Sequence, residues 1–161
     1  MPVIAYLSLG SNLGDRRRTL DAALKRLGEN GVEIMQVSEF IETEPYGRLE
    51  QPAFLNCAAK ARTKLTASAL LALTIQTEAE LGRVRTVHWG PRTIDIDIIF
   101  YGHEVIRSSE LTVPHYDLHN REFVLGPLCE LNPEFIHPTL GVSLAELRRR
   151  LKNPAPLPQG K

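Results

Sequence analysis

Thr93-Ile94-Asp95-Ile96-Asp97-Ile98-Ile99-Phe100-Tyr101 reads as a strand of divided character. Side chains alternate along a strand, so Ile94, Ile96 and Ile98 point to one face while Asp95 and Asp97 point to the other. The isoleucines mark an interior strand rather than a solvated edge, and aspartate is depleted from such positions. Two carboxylates side by side repel each other unless a cation lies between them. A pair of hard oxygen ligands suits Mg²⁺, which takes one or two carboxylates and completes its shell with water and substrate phosphates. The competing reading, a solvated strand face with paired acids, does not account for the flanking isoleucines.

Working outward, the chain before this strand reads as strand, helix, two strands and helix. Val3-Ile4-Ala5-Tyr6-Leu7-Ser8-Leu9 is a buried strand that stops at the turn cluster Gly10-Ser11-Asn12. Leu20, Ala23, Leu24 and Leu27 recur at helical spacing over 15–27. A strand with imperfect alternation covers 32–42, a loop with three Pro/Gly positions covers 43–52, and a strand covers 54–62 with Phe54, Asn56, Ala58 and Lys60 on one face. Thr66 or Ser68 caps a helix that runs to Leu81. This order is the split βαβ pattern of a ferredoxin-like α/β fold: a mainly antiparallel sheet with helices on one face. After Tyr101, Gly102-His103 opens a short hairpin into Glu104-Val105-Ile106, 112–116 is extended, and 121–131 is a helical piece interrupted by glycine and proline. Ser143 and Glu146 form a capping box for a last helix over 144–151. One domain over 1–152 is expected, followed by a flexible proline-rich tail over 153–161.

Composition narrows the function. Nineteen basic and nineteen acidic residues balance to zero net charge, which argues against a general nucleic-acid binder. No apolar run approaches the ~20 residues of a membrane span, and the first ten residues lack the pattern of a secretory leader. Cys57 and Cys129 lie in apolar runs outside any metal spacing, as buried free thiols of a cytoplasmic protein do. A monomer is expected, with no membrane partner.

Three further segments carry candidate chemistry. The stretch Gly82-Arg83-Val84-Arg85-Thr86-Val87-His88-Trp89-Gly90-Pro91-Arg92 delivers three arginines just before the aspartates. Guanidinium groups bind phosphate oxygens in a planar, bidentate manner, so the stretch reads as a polyphosphate clamp and a closing lid. Without the aspartates a solvated basic loop would be the better reading. Trp89 is either a hydrophobic plug or a stacking surface. In Pro114-His115-Tyr116 with Arg121 and Phe123, His115 is a candidate donor and Arg121 a candidate partner for phosphate, although a histidine after proline is often a plain turn residue. Phe54-x-Asn56 suits a flat heteroaromatic ligand, yet a core phenylalanine beside a turn-bonding asparagine explains it as well. Neither G-x-x-x-x-G-K-[ST] nor G-x-G-x-x-G after the first strand is present, so a nucleotide would depend on arginines and metal.

The run from His88 to Ile99, H-W-G-P-R-T-I-D-I-D-I-I, resembles the defining pattern of the 6-hydroxymethyl-7,8-dihydropterin pyrophosphokinases of folate biosynthesis. Leu9-Gly10-Ser11-Asn12-Leu13-Gly14, Phe54-Leu55-Asn56, Leu111-Thr112-Val113-Pro114-His115 and Arg121-x-Phe123 extend the resemblance over nearly the full chain. It implies a ferredoxin-like fold and an ATP- and Mg²⁺-dependent transferase that moves pyrophosphate from ATP to the pterin hydroxymethyl group, releasing AMP. Two Mg²⁺ on Asp95 and Asp97 are implied, with Arg83 and Arg92 completing the catalytic set. The implied pterin pocket comprises Thr43, Glu44, Tyr46, Phe54, Asn56, Trp89, Asp95 and Phe123, with the ring between Phe54 and Phe123. The implied ATP side comprises Glu78, Arg83, Arg85, Arg92, Ile98, Thr112, His115, Tyr116 and Arg121. Glu110 stands where some members carry an arginine, so one cationic contact to ATP is expected to be missing. Two rivals stay open from the residues alone. One is a two-metal nucleotidyltransferase, which would release pyrophosphate instead of AMP; the other is a ferredoxin-like RNA-binding module.

Overall fold

The structure is a computed structural model and describes residues 1–12, 14–43, 53–82 and 94–153. Its elements follow in the order β1 (Val3–Ser11), α1 (Arg16–Glu29), β2 (Val32–Val37), β3 (Ile41–Thr43), β4 (Phe54–Thr63), α2 (Ala67–Gly82), β5 (Ile94–Tyr101), β6 (Ile106–Arg107), β7 (Thr112–Val113), a 3-10 turn (Leu118–Asn120), α3 (Glu122–Leu131) and α4 (Leu144–Lys152). Among the described residues β2, β4, β1 and β5 pair antiparallel in that order, and β3 pairs with β4 beyond β2. Of the tail expected over 153–161, Asn153 caps α4 and residues 154–161 lie outside the described residues.

Both faces of the sheet are covered. On the first face Ala5, Leu7 and Leu9 of β1, Cys57, Ala59 and Ala61 of β4, and Ile94, Ile96 and Ile98 of β5 pack with Leu20, Ala23 and Leu27 of α1 and with Leu70 and Leu73 of α2. On the second face Tyr6, Ala58 and Phe100 pack with Val124, Leu125 and Leu128 of α3, Phe135, and Leu144 and Leu147 of α4. The expectation of helices on one face is therefore corrected: α1 and α2 lie on one side, α3 and α4 on the other. β1 carries apolar residues at successive positions because it is buried from both sides.

Local differences have local causes. β1 does not stop at Gly10. It runs on to Ser11, with Gly10 opposite Asn56 on β4 and Asp95 on β5. The single strand expected over 32–42 is two strands. Between them the Ser38 amide donates to the Ala58 carbonyl (2.9 Å), and the Ser38 hydroxyl accepts from the Ala58 amide (2.8 Å). Gly102 turns the chain with φ 56°, but β6 pairs with β7 rather than β5. The Ser108 hydroxyl accepts from the Leu111 amide (3.0 Å) and closes that small hairpin. α3 is one continuous helix despite Gly126 and Pro127. Asp15 caps α1 through the Arg18 amide, and Thr66 caps α2 through the Ala69 amide. Ser143 accepts from the Glu146 amide, whereas the Glu146 carboxylate turns to Arg149 and Arg150.

Among the described residues β5 ends the strand order, so it is an edge of the ladder there and not the interior strand expected. Its isoleucines are buried by the helices, and its outward amide at Ile96 is taken by the Glu78 carboxylate from α2 (2.7 Å). The ladder slips between Tyr6 and Leu7, which face Phe100 and Ile98; Ile99 is the extra residue of a bulge. Ile99 and Phe100 both join the second-face core as a result. None of the described helices is long and apolar enough to cross a membrane.

Candidate active site

The second face divides in two. At one end the rings of Tyr6, Phe100 and Phe135 fill the space beneath α3, with Phe100 and Phe135 centroids 4.5 Å apart. At the other end the same alternate positions carry small or polar side chains. Two rows cross three strands: Asn56, Gly10 and Asp95, then Ala58, Ser8 and Asp97. Arg121 and Phe123, at the start of α3, stand beside this floor and complete a cavity of about 200 Å³ with Ser8, Gly10, Thr43, Phe54, Asn56, Asp95 and Asp97.

Gly10 is needed for the floor to be flat. A Cβ there would lie 2.5 Å from Asn56 Oδ1, inside contact distance. Asn56 is held in turn by Thr43, whose hydroxyl accepts from Asn56 Nδ2 (2.6 Å). β3 presents Thr43 directly opposite Phe54. Arg16 of α1 fastens the strands around them, bonding the Ala53 carbonyl (2.8 Å) and the Glu42 carboxylate.

A second cavity, of about 280 Å³, lies along the open edge of β5. Ile96, Asp97 and Ile98 line it together with Leu71, Thr112, His115 and Tyr116. Asp97 therefore belongs to both cavities. His115 is fixed by two bonds: its amide donates to the bulged Ile99 carbonyl (3.0 Å), and its Nδ1 accepts from the Asp117 amide (3.2 Å). Burial pushes the His115 pKa below its ordinary value; the Asp97 and Asp117 carboxylates oppose that shift and Arg121 adds to it. Tyr116 is exposed and stacks on the His115 ring at 4.9 Å.

The expected site residues separate into four groups, with Asp97 shared by the first two. Thr43, Phe54, Asn56, Asp95 and Phe123 meet in the first cavity, joined by Arg121, which was expected on the ATP side. Ile98, Thr112, His115 and Tyr116 meet in the second. Glu78 lines neither and holds the Ile96 amide. Glu44, Tyr46, Arg83, Arg85, Trp89 and Arg92 lie outside the described residues. Glu110 lines the second cavity. Ser8 and Gly10 were not singled out from the sequence as site residues. Their signal was available in the even positions of β1, which pass from Ile4 and Tyr6 to Ser8 and Gly10 as the core gives way to the cavity.

The donor set fits a hard divalent cation. Asp95 and Asp97 share the cavity, and the described residues contain no cluster of three or more His, Cys, Asp or Glu able to enclose a metal. Two carboxylates with room for water and phosphate oxygens is the arrangement that Mg²⁺ favours over an all-protein cage. Both thiols are buried and free, and burial pushes both pKa values up, that of Cys57 to about 12, which disfavours the reactive thiolate.

Sequence comparison gives the family. The family model "7,8-dihydro-6-hydroxymethylpterin-pyrophosphokinase (HPPK)" matches residues 6–133. The 2-amino-4-hydroxy-6-hydroxymethyldihydropteridine pyrophosphokinase of Haemophilus influenzae is 42% identical over 137 residues, covering 84% of this chain and 86% of that protein. The protein of the same name in Bacillus subtilis is 46% identical over 129 residues, covering 80% and 77%. The folic acid synthesis protein fol1 of Schizosaccharomyces pombe is 42% identical over 149 residues, and this chain spans 20% of its length. Among solved structures, a Plasmodium falciparum HPPK-DHPS with SDX-DHP matches 95% of this chain and 47% of its own, with TM-score 0.74 at 16% identity. An HPPK-DHPS in complex with substrates matches 92% and 43%, with TM-score 0.68 at 16% identity. These last two support the ferredoxin-like α/β fold. The chain belongs to the 7,8-dihydro-6-hydroxymethylpterin-pyrophosphokinase family, the transferases of the pyrophosphokinase step in folate synthesis.

Proposed function

We propose that the first cavity takes the pterin of 6-hydroxymethyl-7,8-dihydropterin, that the second takes ATP, and that Asp97 stands where they meet. The shared position of Asp97 carries this assignment. Phe54 and Phe123 flank the first cavity as stacking surfaces for a flat bicyclic ring, and Asn56 with Thr43 reads its polar edge. Ile96 turns its amide away from β1, toward Glu78. By the two-residue period the Ile98 backbone faces the same open edge, in reach of a purine in the second cavity.

Asp95 and Asp97 are the residues that would hold two Mg²⁺. When bound, the ions neutralise charge on the transferred phosphoryl oxygens. His115, with Nδ1 already accepting a bond, offers its Nε2–H to a phosphate oxygen. Arg121 offers its guanidinium from the other side of Asp97, and Glu78 acts indirectly by closing the strand edge at Ile96. Asp97 also receives the pterin hydroxyl and orients it for attack on the β-phosphorus. Glu44, Tyr46 and Trp89 belong to the pterin side of this reading. Arg83, Arg85 and Arg92 belong to the phosphate side, because their segment joins α2 to β5 one residue ahead of Asp95. One chain lines both cavities, so a monomer suffices, acting in the cytoplasm where free thiols persist.

The test is a pair of selective losses. Phe54→Ala should raise the pterin KM at least ~10-fold and leave the ATP KM within ~2-fold, as loss of one stacking surface in a cavity implies. Tyr116→Ala should do the reverse. A shift of both constants in both variants would overturn the assignment of two cavities to two substrates.

A further inference from the structure

We infer that Asp117 is a positioning residue that keeps the Arg121 guanidinium off the metal-binding carboxylates and turned toward the incoming phosphates. This rests on the reading of Asp95 and Asp97 as the cation site. Arg121 shares its cavity with both aspartates, yet its ion pair is made with Asp117, from Nε to Oδ2 at 3.1 Å. The other Asp117 oxygen accepts from Asn120 Nδ2 (2.9 Å), which fixes the carboxylate on the 3-10 turn preceding α3. Arg121 lies on the Phe123 ring at 5.7 Å, so its position is defined on two sides.

A guanidinium with no carboxylate of its own beside two aspartates would pair with them and compete with the cation. Nε is the donor that Asp117 occupies, which leaves the two terminal nitrogens as a fork for phosphate oxygens. The Asp117 amide separately fixes His115 through Nδ1. Because that contact is made by the backbone, a side-chain substitution at Asp117 leaves it in place and isolates the carboxylate. The Asp117–Arg121 pair is about two-thirds buried on each side, with side chains 33% and 32% exposed, and spans i,i+4. Pairs of this kind add little to stability, so a purely structural role would leave almost no trace.

The experiment measures Mg²⁺ binding by calorimetry, in the presence of a non-hydrolysable ATP analogue, for wild type, Asp117→Ala, Arg121→Ala and the double variant. The expected result is roughly tenfold weaker Mg²⁺ binding in Asp117→Ala, with no further loss when Asp117→Ala is added to Arg121→Ala. The melting temperature should stay near that of wild type, and kcat should fall while pterin affinity holds. Asp117→Glu should restore part of the loss. Wild-type Mg²⁺ affinity in Asp117→Ala, or equal losses with and without the Arg121 side chain, would overturn the inference. If the alanine variant does not fold, Asp117→Asn removes the charge alone, and the same two outcomes decide. Asp97→Ala run in parallel separates the two levels. Undiminished metal binding there overturns the cation site itself, whereas lost binding there with additive Asp117 effects overturns only the role of Asp117.

Discussion

The two faces of the sheet are drawn from the same strands and differ in how completely they are spent on packing. Under α1 and α2 the described alternate positions from Ala5 to Leu9, Cys57 to Ala61 and Ile94 to Ile98 are apolar and buried. Under α3 and α4 only one end is, around Tyr6, Phe100 and Phe135; the other end holds Ser8, Gly10, Asn56, Asp95 and Asp97. A closed face supports an open one. Two neighbouring carboxylates are costly to hold together, and they are tolerated because Ile94, Ile96 and Ile98, which alternate with them, are locked from behind.

That contrast can be broken most sharply at Asp97 of β5 and at Leu9 on the neighbouring strand β1. Asp97→Ala should lower kcat by about a thousandfold or more and abolish metal-dependent ATP binding while the protein still melts cooperatively, as steady-state kinetics and thermal denaturation would show. Turnover within tenfold of wild type would remove Asp97 from the site. On the closed face, Leu9→Ala should cost roughly 2–5 kcal/mol of stability in chemical denaturation, with the folded fraction keeping its kcat. A catalytic defect larger than the loss of folded protein would mean that the faces are not independent. Gly10→Ala tests the floor. Its Cβ would meet Asn56 Oδ1 at 2.5 Å, so Asn56 must swing and release Thr43. Pterin affinity should fall about tenfold, an effect of roughly 1.4 kcal/mol, while ATP affinity holds.

The smallest effect concerns pH. Burial lowers the His137 pKa below 6.5, with nearby His119 adding to the shift. His137 Nδ1 accepts from the Thr139 (3.2 Å) and Leu140 (3.1 Å) amides, bonds that a proton on that nitrogen would break. Below about 6.5 the unfolded chain binds the proton more readily than the folded one, so stability is full above that pH and declines as pH falls through the folded value. His115 shifts in the same direction. Melting temperature should drop by a few degrees between neutral and mildly acidic pH, and His137→Gln should flatten the profile. A curve unchanged by that substitution would assign the acid sensitivity elsewhere.

Much of this was legible in the sequence, for reasons that can be stated residue by residue. The β5 alternation needed only the strand period, and Phe54 and Asn56 were correctly placed on one face of β4. Their use was not legible from spacing, because Phe123 comes to them from α3 and no local pattern says what stands above a strand. Gly10 read as a turn because glycine usually marks one; only the paired strands show that it clears room for Asn56. The second-face helices were missed as a layer because α3 carries Gly126 and Pro127, which lower its helical signal, whereas packing against Phe100 and α4 decides its state. The spacing of Asp117 and Arg121 was open to reading as an i,i+4 pair, but what else that arginine faces was not.

Counted along the chain, Ile99 is one residue more than its ladder requires. Take it away, and Ile98 and Phe100 fall into ordinary alternation against Leu7 and Tyr6 with the other pairings kept. What would be lost is the carbonyl that moors the His115 amide. Chain length at this point is thus a setting for the groove along β5, proposed above to take ATP, more than for the sheet. A one-residue deletion in a relative would announce itself first in how tightly it holds ATP.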